Sequence, residues 1–172
     1  MNYRILLAVL CLGFMLTGCA IKHPQSAAEF REAAPGATFG SKQSFEVKRS
    51  IARVSATFKK MAPQCLNKRV ESVSSGYMYH QVVVTDYNPT VLIGNDRTEL
   101  HLQQDHIQGV MNVSKKPDGG YYLMVVDAIA VGKSKTRIDI YAPSIGYDHV
   151  IDAIKGWATG NNVGCPDLTK NS

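Results

Sequence analysis

Tyr121 to Ala142 reads "YYLMVVDAIAVGKSKTRIDIYA", and how this stretch divides decides the fold. Its first half, Tyr121 to Val131, is rich in aromatic and β-branched residues, which suit a pleated, half-buried surface. Along an extended chain Tyr121, Leu123, Val125 and Ile129 take one side and Tyr122, Met124, Val126 and Ala128 the other, so both faces are apolar. Lys135 to Tyr141 alternates, with Ile138 and Ile140 pointing inward. A period of two on either side makes Gly132-Lys133-Ser134 a link between two strands. A phosphate loop needs a helix after that triplet and a glycine where Asp127 stands. Gly132-x-Ser134-x-Thr136 is likewise one glycine short of a nucleophile elbow, which joins strand to helix. Both readings are rejected.

The strand pattern extends upstream. Pro117-Asp118-Gly119-Gly120 is a turn that pairs Tyr121 onward with Val110 to Val113 as a hairpin. Arg97 to Gln103 alternates, Leu100 and Leu102 on one face, Glu99, His101 and Gln103 on the other. Gly94-Asn95-Asp96 and Asp86-Tyr87-Asn88-Pro89 carry turn signals. Tyr77 to Thr85 reads as a strand, and Val70 and Val73 mark a short extended piece.

Helices flank the strands. Ile51, Val54, Phe58, Met61 and Cys65 recur at helical spacing behind Ser50, a residue suited to the N-cap. Pro63 is expected to end or kink this helix. After the strands, Tyr147, Val150, Ile151, Ile154, Trp157 and Ala158 form a second apolar stripe. Asp148 and Asp152 lie early in it and Lys155 late, as the helix dipole favours, and Gly160 is its terminator. With Phe45 and Val47 as a first strand, the order is strand, helix, antiparallel strands, helix. That order predicts an α+β fold, an antiparallel sheet of about five to seven strands with two helices on one face.

Three features invite chemistry. Asp127 sits in a stretch apolar on both faces, where an unpaired carboxylate is costly. Either Arg137 or a lysine on the adjoining strand neutralises it, or it lies at the sheet edge, or it belongs to a binding site. His101, Asp105 and His106 could be imagined as metal ligands, but histidines five residues apart on a strand face opposite sides. No metal or cofactor is assigned. The apolar second face of Tyr121 to Val131 either curls over a pocket, binds a partner, or is shielded by tyrosines and lysine stems.

The amino terminus supplies the address. Arg4 is the only charge before residue 19, and Ile5 to Leu16 are uncharged and mostly apolar. A membrane-spanning helix needs roughly 20 apolar residues, so this segment is too short; a basic start, a short apolar middle and a small-residue end describe an export signal. Leu16-Thr17-Gly18-Cys19 resembles the lipobox of bacterial lipoproteins. The resemblance implies a diacylglyceryl group on the Cys19 thiol, cleavage before Cys19 and acylation of the new amino terminus. Two or more chains hold a protein stably on a bilayer where one does not. Ala20, in place of the Asp that favours inner-membrane retention in Gram-negative lipoproteins, implies the outer membrane. Residues 1–18 are then the signal peptide, 19–43 the lipidated cysteine with a flexible tether, and 44–172 one globular domain. Within the tether, Ser26 to Ala34 suits a short helix.

Of four cysteines, Cys11 leaves with the signal and Cys19 carries lipid. Cys65 and Cys165 remain, an even pair in an oxidising compartment, with a structural disulfide as the expectation and free thiols or a metal site as rivals. The net charge of +5 is mild and spread out, unlike the concentrated charge of nucleic-acid binders. No acid, base or nucleophile assembles into an enzyme. The expected function is a non-enzymatic, periplasm-facing outer-membrane lipoprotein, an accessory or scaffold in an envelope assembly with another envelope protein as partner. The alternative is a module gripping an apolar ligand or lipid between a curved sheet and the final helix.

Overall fold

The computed structural model describes residues 23–76, 79–108 and 115–170. The expected amino-terminal signal with Cys11, the expected lipid carrier Cys19 and the strand expected at Val110 to Val113 lie outside the described residues. Six strands form one antiparallel sheet: β1 (Gly40–Val47), β2 (Lys68–Gly76), β3 (Tyr79–Ile93), β4 (Arg97–Gln108), β5 (Tyr121–Gly132) and β6 (Lys135–Pro143). Their spatial order is β1-β6-β5-β4-β3-β2, a five-strand meander whose last strand receives β1 at its free edge. Helices α1 (Ala27–Ala33), α2 (Ile51–Leu66) and α3 (Asp148–Thr159) complete the fold.

The α+β architecture matches the sequence reading. Helices α2 and α3 cover one face, where Val54, Phe58, Ile154 and Trp157 meet Leu100, Leu102, Met124, Val126, Ile138 and Ile140 in one buried cluster. At roughly 25 cal/mol per Å2 of apolar surface removed from water, this cluster is the main stabilising element. A smaller cluster of Ala27, Ala34, Val125 and Tyr141, with Phe30 and Tyr122 against it, lies on the other face. That face belongs to α1, which falls in the region read as tether. The ordered fold therefore begins ahead of Ser44, and β1 itself starts at Gly40.

Three local expectations change. Helix α2 runs through Pro63 to Leu66. Pro63 is exposed, and the burial of Cys65 and Leu66 beyond it draws the last turn onto the core. Asp86 to Pro89 is not a turn but the middle of β3. Tyr87 is the last residue of β3 paired with β2, so Pro89 bonds only to β4 and sits on what is locally an edge, where a missing N–H is tolerated. Finally, Met124 pairs with Leu102 and Tyr122 with Gln103, leaving Leu123 as an extra residue. This bulge moves Leu123 into the helix-side cluster beside Met124 and turns Tyr122 to the α1 side with Val125. The expected alternation holds only from Met124 onward.

The other turns behave as their chemistry dictates. Gly119 and Gly120 adopt φ of 84° and 107°, and the Gly120 N–H donates to Pro117 O at 3.1 Å. Gly160 closes α3 in the left-handed region, and Arg49 donates to the freed carbonyls of Trp157 and Ala158 at 2.9 and 3.1 Å. A disulfide joins Cys65, at the end of α2, to Cys165, past the end of α3, with a Cα–Cα distance of 4.9 Å. No helix among the described residues is long and apolar enough to cross a membrane.

Candidate functional site

Antiparallel register brings the acidic residues of the sheet into one row. Glu99 on β4 stands directly opposite Asp127 on β5, which stands opposite Asp139 on β6, which stands opposite Ser44 on β1. Cross-strand partners share a face, and like charges directly opposite one another destabilise a sheet. Three arginines answer three carboxylates. Arg31, from α1, grips Asp127 with both arms of its guanidinium: Nε to Oδ2 at 2.9 Å and Nη2 to Oδ1 at 2.8 Å. The same Nη2 also bonds Glu99. Arg97 reaches Asp127 at 3.0 Å and Glu99 at 3.2 Å. Asp139 accepts from the Ser44 hydroxyl and, at 3.2 Å, from Arg137.

Asp127 is thus neither at an edge nor paired with Arg137. Its side chain is 4% exposed and Arg31 is 18% exposed, so water screens this pair little. A bidentate guanidinium–carboxylate geometry gives orientation as well as attraction. Burial works against the charge of Arg31, but its bonds to Asp127 and Glu99 outweigh that and hold its pKa above the ordinary value. Burial would raise the Glu99 carboxyl, yet hydrogen bonds from His101 and Arg31 leave it below the usual carboxylate range. His101, whose Nε2 lies 2.9 Å from Glu99, packs edge-on against Tyr122. The cluster is charge-balanced and closed over by α1; chemically it is a clamp.

His106 lies on the opposite face. Its ring nitrogen meets Thr85 Oγ1 at 3.0 Å, in a groove of about 490 Å3 whose walls include Val70, Tyr87, Gln104 and Tyr147. Burial raises the pKa of both phenols, Tyr147 despite an opposing bond from Tyr87, so both stay protonated near neutrality. The groove presents hydroxyls, an amide and an imidazole over an apolar floor. Asp105 is engaged by Lys116 at 2.6 Å. Among the described residues no group of three or more His, Cys, Asp or Glu is placed to hold a metal ion. Gly132-Lys133-Ser134 is the tight connection of the β5–β6 hairpin.

Arg31 escapes a sequence reading because it stands between Glu29 and Glu32 in a short small-residue segment, where nothing local marks a partner on a distant strand. The acidic row was half visible, since Glu99 and Asp139 occupy the polar phase of alternating strands and Asp127 interrupts an apolar one, but their alignment depends on register. No protein-family model matches the chain, and no curated protein matches it.

Proposed function

We propose that the chain is a non-enzymatic lipoprotein, held through Cys19 on the periplasmic face of the outer membrane, that acts as an accessory or scaffold in an envelope assembly. The observation that carries this reading is the Cys65–Cys165 disulfide. Such a bond persists in oxidising compartments and is rare where thiols are kept reduced. It agrees with a short apolar leader ending in Leu16-Thr17-Gly18-Cys19. A scaffold is favoured over a carrier because Trp157, Phe58, Leu100, Leu102 and Met124 fill the space between helices and sheet, while α1 occupies part of the far face. Glu99, Asp127 and Asp139 on that face are spent on arginines in the clamp.

The test is substitution of the anchor and a search for the partner. Cys19→Ser should leave unprocessed precursor, and cross-linking in intact cells followed by mild detergent extraction should recover a defined envelope protein. Unchanged processing and membrane retention of the variant would refute the anchor. The ligand-binding alternative has one observation in its favour, the groove beside Tyr87 and Tyr147. A retained small molecule in native mass spectrometry of the purified protein would establish it over the scaffold.

A further inference from the structure

A cleft of about 460 Å3, a size ordinary for small-ligand sites, lies between α2 and the chain that leaves α3. Arg49, Arg53, Thr57 and Lys60 line one side, spaced as neighbours along one helical face. Asn161 and Asn162 stand across from them, and Met61, Trp157 and Val163 add apolar surface. These walls are fixed in place. Residues 160–165 are tied at one end by Arg49, which donates to the carbonyls of Trp157 and Ala158, and at the other by the Cys65–Cys165 bridge. Between those ties Val163 packs onto α3 so closely that a Cβ on Gly156 would lie 2.4 Å from its Cγ2. Glycine at 156 is what admits this wall.

The charge of the cleft is one-sided. Helix α2 has no Asp or Glu. Arg31, Arg69, Arg97 and Arg137 each have a carboxylate partner. Among the described residues the two arginines without one are Arg49 and Arg53, and both line this cleft. Arg49 bonds only neutral oxygens, including Thr57 Oγ1 at 3.2 Å, which orient its guanidinium without cancelling its charge. Arg53 and Lys60 are exposed, and their side chains form no hydrogen bond or ion pair among the described residues. Trp157 carries a buried Nε1 that likewise has no acceptor among them, and a buried donor in that state calls for an explanation.

We propose that this cleft binds a phosphate monoester, with the phosphate held by Arg49, Arg53 and Lys60 and the organic group set against Met61 and Val163. Such a group carries about −1.5 to −2 charge near neutrality and three acceptor oxygens, which suit three cations. A carboxylate brings one charge and two oxygens, and leaves cations unmatched. Guanidinium forks match the phosphate geometry, and the Asn161 and Asn162 amides offer partners to hydroxyls on the ester. The inference depends on neither the anchor nor the scaffold reading.

The test is equilibrium dialysis of the full chain in a non-ionic detergent at constant ionic strength. The protein should take up radiolabelled glycerol 3-phosphate or, in mixed micelles, radiolabelled phosphatidic acid, in a saturable manner that excess acetate does not reverse. Tighter binding of phosphatidic acid assigns a lipid-borne ester; equal or tighter binding of glycerol 3-phosphate assigns a soluble one. Arg53→Ala and Lys60→Ala, at exposed positions, should each weaken the affinity about tenfold while leaving the urea midpoint of the ligand-free protein unchanged. Saturable uptake of neither probe, displacement by acetate, or undiminished affinity in the variant carrying both substitutions would overturn the proposal.

Discussion

Glu99 shows how one side chain takes its properties from three others. Burial favours its neutral form, but His101 and Arg31 each bond the carboxylate, and the ionised form prevails at lower pH than in an unfolded chain. A carboxyl with a depressed folded-state pKa binds its proton more readily in the unfolded chain, so its contribution is full above the ordinary Glu range and is lost as pH falls through the lowered folded-state value. The urea midpoint should therefore drop between about pH 5 and pH 3, and Glu99→Gln should flatten that slope while lowering the midpoint at neutral pH. A wild-type and variant with parallel pH profiles would contradict the role assigned to Glu99. The residue is readable in sequence as the polar phase of an alternating strand. Its partner Arg31 is not, because sequence separation of 68 residues hides a contact made only by register and docking.

At the level of elements, α1 is held by electrostatics more than by apolar contact. Only Ala27 of its seven residues is buried, and Phe30 packs against Tyr122 from a partly exposed position. Removing Arg31 would leave Asp127 with Arg97 as its remaining arginine and take away both arms of the bidentate bond, and losing hydrogen bonds to a buried charged group costs about 1.5–3 kcal/mol. Arg31→Ala should lower global stability by about that amount, and a protease should cleave readily between Ser26 and Gly36, whereas wild-type resists. Asp127→Asn combined with Arg31→Ala should recover part of the loss, as paired deletions do; full additivity would argue against a direct bond. The long helices and the β5–β6 hairpin were legible because their apolar period is strong and local. The straight course of β3 through Pro89 was not, since tolerance of proline there depends on where β2 begins. The bulge at Leu123 was hidden too, because nothing in an unbroken apolar run marks the residue that is left unpaired.

For the molecule as a whole, the Cys65–Cys165 bridge spans 100 residues and fastens the exits of α2 and α3 to one another. A loop of that length is worth about 4–5 kcal/mol in the chain-entropy picture. Replacing both cysteines by serine should lower stability by a comparable amount, read as a large fall in urea midpoint, and the wild-type should shift to that midpoint under reductant. A midpoint insensitive to reductant would mean the bridge constrains nothing. This pairing was accessible from the sequence because two cysteines allow a single arrangement. The place of β1 at the edge of the sheet was not, since β1 carries no mark of the strand it will join. That late pairing also governs the order of assembly. The Arg31–Asp127 pair joins residues 96 apart, and β1 waits for β6 over a similar distance. A chain emerging amino end first must leave its opening segment unpaired until three-quarters of it has appeared, and contacts of such high order slow folding. For the lipid anchor proposed at Cys19, that interval is the time in which acylation and cleavage would be finished, before the last strand locks the first.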